Sequence, residues 1–130
     1  IGGKVVTPPL GGSILPGVVR DSVLTLLDDW GLPLEERRIA IDEVVAAFRS
    51  GELEEVFGAG TAAVICPVAS IGLKGETFEA ASAPPGELTL RLYDELTGIQ
   101  YGKLTDRHGW NVTLSLPQIS ASTAATRAAG

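Results

Sequence analysis

Along most of this chain the apolar positions recur at helical spacing in two places and at strand-like spacing in several others. From Val18 to Trp30 the residues Val19, Val23, Leu26, Leu27 and Trp30 follow one another at intervals of four, three, one and three, which is the period of one helix face. Gly31 supplies a stop and Pro33 prevents continuation. A second such face runs through Leu88, Leu92, Leu96 and Ile99, with Tyr93 beside it, and predicts a helix over 86–99 with Gly98 close to a frayed end. Between these faces, Leu34–Ile41 reads as a strand. Asp42 reads as the N-cap of a short helix over 43–49, and Ser50-Gly51 as its end. Glu52–Phe57 predicts a strand entering a turn at Gly58-Ala59-Gly60-Thr61. Ala63–Val68 predicts a buried strand of small residues, and Ile71–Phe78 an extended pair with Lys74-Gly75 as its hairpin signal. Ala80–Pro85 reads as a linker, Gly102–Asn111 as loop and Val112–Leu116 as a last strand.

Strands interleaved with helices place the chain in the α+β (mixed α/β) class, with a mixed, partly antiparallel sheet or small barrel flanked by helices. At 130 residues with 45% hydrophobic content, one packed domain over 1–116 is expected. The Ser/Thr/Ala-rich segment 117–130 lacks periodicity and is expected to be a mobile tail. The net charge of −6 argues against partners rich in phosphate, such as nucleic acid or anionic membrane. No run approaches the ~20 apolar residues of a membrane span. One cysteine, Cys66, and one histidine, His108, are too few for a zinc site. Cys66 reads as a buried small hydrophobe and His108 as a solvated structural residue. The pairs Asp28-Asp29, Glu35-Glu36 and Glu54-Glu55 read as solvated faces or strand-edge charge. Asn111-Val112-Thr113 matches a glycosylation sequon without any sign of secretion. The chain starts at Ile1 and contains no methionine, which reads as numbering that begins inside a larger polypeptide.

Candidate chemistry concentrates in two small-residue turns. Pro16-Gly17-Val18-Val19-Arg20 runs into the first helix, whose N-terminus carries unpartnered N–H groups and about half a positive charge. An anionic phosphate fits such a site, with Gly17 leaving room and Val18 and Val19 offering backbone donors; Arg20 either adds charge or points to solvent. The bland alternative is a helix entrance with proline near its usual position. Gly58-Ala59-Gly60-Thr61-Ala62 could add a hydroxyl from Thr61 and an unobstructed amide at Ala62. By itself that motif is a strand-to-strand turn, since neither a dinucleotide fingerprint nor a P-loop accompanies it. No catalytic acid–base pair or nucleophile emerges from spacing.

Longer motifs carry a family resemblance. Thr7-Pro8-Pro9-Leu10, Ser13-Ile14-Leu15-Pro16-Gly17-Val18, Arg20-Asp21-Ser22, Trp30-Gly31, Glu35-Glu36-Arg37, the run Glu55–Val64 and Leu96-Thr97-Gly98-Ile99-Gln100-Tyr101-Gly102 resemble branched-chain aminotransferases, over roughly residues 4–116. The resemblance implies a fold-type IV enzyme dependent on pyridoxal 5′-phosphate, exchanging an amino group between leucine, isoleucine or valine and 2-oxoglutarate. This segment would be most of its C-terminal domain. Carried over by position, Val18 and Val19 would hold the cofactor phosphate through backbone amides and Thr61 through its hydroxyl. Leu15 and Gly17 would shape the cofactor site, and Ala62 would seat the substrate carboxylate.

The sequence departs from the family at Val19, where threonine is common, and at Ala63, which removes the Cys-x-x-Cys pair of some animal members. The lysine that carries the cofactor, and the acid that pairs with its ring nitrogen, match no residue here. The chain by itself is therefore expected not to transaminate, and the family implies a homo-oligomer, with the missing half or a second copy as partner. A stand-alone, repurposed descendant without transaminase activity is the alternative. Cytosol and mitochondrion both fit.

Overall fold

A computed structural model describes residues 1–12, 14–79 and 85–114. Its elements in chain order are β1 (Val5–Thr7), α1 (Val18–Asp29), β2 (Leu34–Glu36), α2 (Ile41–Ser50), β3 (Phe57–Gly60), β4 (Val64–Pro67), β5 (Ser70–Leu73), β6 (Glu76–Glu79) and α3 (Glu87–Gln100). The expected mixture of helices and strands is present. The strands form three separate pairs rather than one mixed sheet: β1 with β2 in parallel, and the antiparallel hairpins β3–β4 and β5–β6.

The core lies where the two long amphipathic helices meet the β3–β4 hairpin. Val23, Leu26 and Leu27 of α1, Leu92 and Leu96 of α3 and Ile65 of β4 form its buried centre. Val5, Val19, Trp30, Leu34, Phe57 and Trp110 pack around it. Leu26, Leu27 and Leu92 are fully buried, so the predicted helical faces are the faces that meet. The second face extends one residue further than expected, to Gln100. Gly98 is not in a frayed end: it is buried, and a Cβ there would meet Leu104, which folds back over the helix.

Several elements depart from the sequence expectation. The strand over 34–41 is only three residues long; the Arg37 amide still donates to the Thr7 carbonyl at 3.0 Å, while its side chain turns onto Glu43 and Glu35. Helix α2 begins at Ile41 with Ala40 as its N-cap; Asp42 lies inside the first turn and caps nothing. Residues 52–56 are not a strand. Gly58 and Gly60 are themselves strand residues, paired with Cys66 and Val64, so the turn is Thr61-Ala62-Ala63. Neither glycine has a positive φ; that conformation falls on Val64 at φ 56°, a rare state for a β-branched residue. Cys66 is exposed rather than buried, because the inward-facing residue of β4 is Ile65. The Lys74-Gly75 turn is as expected, with φ of 50° and 86° in a two-residue hairpin loop. Residues 112–114 form no strand; residues 80–84 of the predicted 80–85 linker, the end of the last strand and the tail over 117–130 lie outside the described residues.

Candidate functional site

A cleft of about 1040 Å³ runs beside α1, and its walls come from β1, the loop before α1, α1 itself, the 53–61 stretch and the start of α3. Its volume is at the upper end of small-molecule sites. Leu15, Gly17 and Thr61 all line it. The two regions singled out in the sequence thus border one space, because α1 packs against β3 and Thr61 follows β3 directly. Val18, Val19 and Ala62 are not lining residues. Val18 stands 79% exposed at the helix start, the side chain of Val19 turns inward onto the core, and Ala62 is exposed in the turn beside Thr61.

Backbone hydrogen bonds decide what the helix start can offer. Gly17 N–H is consumed locally by the Leu15 carbonyl at 2.8 Å, and the first helical bond is Asp21 N–H to Gly17 O at 3.1 Å. Among the described residues, the amides of Val18, Val19 and Arg20 have no acceptor, and no side chain caps the helix. Gly17 is extended, at φ −74° and ψ 134°, so its conformation does not demand glycine. A Cβ at Gly17 would meet no atom of this chain within 4 Å. The α3 N-terminus differs: Glu55 closes it, accepting from Leu88 N–H at 3.0 Å and Thr89 N–H at 2.9 Å. Sequence reading placed Glu55 on a solvated face or a strand edge; no local signal links it to a helix start thirty-three residues away.

The cations of the cleft wall are committed: Lys4 pairs with Glu35 at 2.6 Å and Arg20 with Glu36 at 2.7 Å, while Arg91 Cζ lies over the Trp30 ring, 3.6 Å from its centroid. Arg20 therefore points neither to solvent nor to a free position at the helix tip. Burial would raise the Glu55 carboxyl, but the Thr89 hydroxyl and the Thr89 and Leu88 amides outweigh it and hold it below the usual glutamate range. The Thr61 hydroxyl lines the cleft, and neither it nor the first α1 amides, which follow the lining residue Gly17, has an internal partner among the described residues.

His108 is not merely solvated. Its Nε2 lies 2.9 Å from Asp29 Oδ2, and its ring stacks on Trp110. The Asn111 amide of the sequon donates to the Ile99 carbonyl at 2.6 Å, closing the α3 C-terminus. No group of three metal-ligating side chains occurs among the described residues, and no helix there is long and apolar enough to cross a membrane.

The family described as amino-transferase class IV matches residues 1–71. A probable branched-chain-amino-acid aminotransferase of Staphylococcus epidermidis is 52% identical over 110 residues, covering 85% of this chain and 31% of its own length. Branched-chain-amino-acid aminotransferase 2 of Bacillus subtilis is 50% identical over 115 residues, covering 88% of this chain and 32% of its own. The chain spans just under a third of the length of these curated relatives. Among solved structures, the branched-chain amino acid aminotransferase of Escherichia coli superposes with a TM-score of 0.65 at 31% identity, over 83% of this chain and 33% of its own. The enzyme of Thermobaculum terrenum, solved in its PLP-form, gives 0.63 at 32% identity, over 78% of this chain and 30% of its own.

Proposed function

The chain belongs to the class IV amino-transferase family, and on that footing we propose that it forms the phosphate-holding wall of a pyridoxal 5′-phosphate-dependent branched-chain amino acid aminotransferase. The observation that carries this reading is the uncapped start of α1, where three successive amides lack acceptors directly after Gly17, which lines the same cleft as Thr61.

The residues fit the cofactor's phosphate. The amides of Val18 and Val19 would donate to its oxygens, the helix dipole would favour its charge, and the Thr61 hydroxyl would add a further donor. Gly17 leaves the approach open. Leu15, 85% exposed, would cover an aromatic ring seated beside the phosphate. The amide of Ala62, next to Thr61, would receive the carboxylate of an amino acid substrate. Bound there, the cofactor supplies an electron sink for amino-group transfer. This chain's part is to bind and orient; the lysine and the ring-nitrogen acid correspond to none of its residues. The reading therefore calls for a partner that closes the cleft, either the family's remaining length or a second copy in a homo-oligomer. The relatives named above are bacterial, which gives no support to a mitochondrial site.

The test is an amide-resolved NMR titration of the chain with pyridoxal 5′-phosphate, inorganic phosphate and pyridoxal. The two phosphate-bearing probes should shift the amides of Val18, Val19, Arg20 and Thr61, and pyridoxal should not. Shifts scattered elsewhere, or none at these amides, overturn the reading.

A further inference from the structure

We propose that Arg20 is the positioning residue of this amide cradle, acting as a clamp at the base of the loop that presents it; the inference rests on the phosphate-wall reading. Arg20 is the third residue of α1, where a cation lies against the helix dipole. Its side chain turns away from the helix tip and is only 15% exposed. One terminal nitrogen, Nη2, donates both to the Pro8 carbonyl at 2.8 Å and to Glu36 Oε2 at 2.7 Å. Pro8 directly follows β1, and Glu36 is the last residue of β2, paired with Thr7. The guanidinium thus fastens the C-terminal ends of both parallel strands to the first turn of α1. It also closes the loop from Pro8 to Gly17 at its base.

Few other ties hold that loop among its described residues. Among the described residues its internal backbone bonds are Ile14 N–H to Gly11 O at 3.1 Å and Gly17 N–H to Leu15 O at 2.8 Å. The direction in which Val18 and Val19 present their amides is therefore set by where Arg20 pins the loop. The Arg20 Nε is buried with no partner among the described residues, a desolvation cost that a residue serving only as a surface ion pair would not carry. Lysine does not replace Arg20, because its ammonium stops one bond short of the Nη2 position that reaches both the Pro8 carbonyl and the Glu36 carboxylate.

The experiment compares the wild-type chain with Arg20→Met, Arg20→Lys and Glu36→Gln, using hydrogen exchange and titration with pyridoxal 5′-phosphate, inorganic phosphate and pyridoxal. Arg20→Met should weaken both phosphate-bearing probes about tenfold and leave pyridoxal unchanged. Protection at the Ile14 and Gly17 amides should fall, while α3 and the β5–β6 hairpin keep theirs. Arg20→Lys should behave like Arg20→Met, which separates positioning from simple charge. If Arg20→Met fails to fold, Glu36→Gln carries the same test with a loss of about threefold. Retained phosphate affinity in Arg20→Lys, or a loss spread equally over all three probes and all amides, overturns the inference. A wild-type chain with no phosphate-dependent shift at Val18–Arg20 overturns the phosphate-wall reading, and this inference with it. Wild-type binding with every variant unchanged overturns the clamp alone.

Discussion

Thr89 and Glu55 are locked together across thirty-four residues of sequence: Oε2 of the carboxylate accepts from the Thr89 amide at 2.9 Å and from its hydroxyl at 2.7 Å. With Oε1 on the Leu88 amide, one side chain caps α3 from the segment that leads into β3. Gly86 at the N-cap is what admits it, since a Cβ there would overlap the carboxylate. Glu55→Ala should cost about 0.5–2 kcal/mol, the usual worth of an N-cap. Gly86→Ala should cost a similar amount by expelling the carboxylate, and the double variant should cost much less than the sum. Chemical denaturation of the four proteins checks the cycle; additive losses would mean that the two positions do not share one cap.

The same carboxylate sets an acid limit. Its folded pKa is held below the ordinary glutamate value. The stabilisation it gives is therefore fully present above the unfolded pKa of about 4.3 and is lost as pH falls through the lower, folded value. Glu55→Gln should flatten the stability profile in that acid range. At neutral pH the variant should be weaker than wild type, because a neutral amide is a poorer partner for a helix N-terminus. Thermal unfolding of both proteins between pH 3 and 7, an interval of about four units around the carboxylate range, checks the sign. Parallel profiles would count against it.

Gly98 lies inside α3, where alanine is ordinarily favoured by about 1 kcal/mol. Here a Cβ would stand 2.6 Å from Leu104 Cδ1 and 2.7 Å from its Cγ. Gly98→Ala should therefore destabilise the protein despite the gain in propensity, and Leu104→Ala should relieve much of that penalty. Unfolding midpoints of the single and double variants decide between the two effects.

How far the sequence could be read follows from the range of the forces involved. The two long helices were legible because their core faces repeat within a few residues: Leu26, Leu27, Leu92 and Leu96 are buried where the period put them. The hairpin at Lys74-Gly75 was legible because its conformation is a local steric matter. Glu55, His108 and Arg20 were not, since each takes its partner from a distant segment and only packing brings the two together. At the site, the motifs named Leu15, Gly17 and Thr61, which do border one cleft. They could not tell that Gly58 and Gly60 are strand residues, or that Val64 takes the positive φ, because the register of the β3–β4 hairpin decides both.

Lys74 occupies the first position of a two-residue loop at φ 50°, followed by Gly75 at φ 86°. Asparagine accepts this left-handed conformation more readily than lysine, and Asn-Gly is the preferred pair in such loops. Lys74→Asn should stabilise the β5–β6 hairpin by a few tenths of a kcal/mol to about 1 kcal/mol. Gly75→Ala should destabilise it. Hydrogen exchange at the Ile71 and Phe78 amides, which face each other across the hairpin, gives the local readout.

Proline at the start of α1 offers a way to remove one cradle amide without disturbing the fold. Val18 is the first helical residue, its N–H has no internal acceptor among the described residues, and its side chain is 79% exposed. Gly17 before it is already extended at ψ 134°, the conformation a following proline requires. Proline is well tolerated at this helix position, where its missing N–H breaks no helical bond. Val18→Pro should therefore keep the thermal midpoint or raise it slightly. Affinity for pyridoxal 5′-phosphate and inorganic phosphate should fall about tenfold, with pyridoxal unaffected. Val19→Ala should do the opposite. Its side chain packs on the core, so stability should drop by about 1 kcal/mol while the amide, and with it phosphate affinity, is retained. Calorimetric titration and unfolding of both variants would separate backbone from side chain at these two adjacent positions. If Val18→Pro bound phosphate as tightly as wild type, the amides of this helix would not be what holds the ligand.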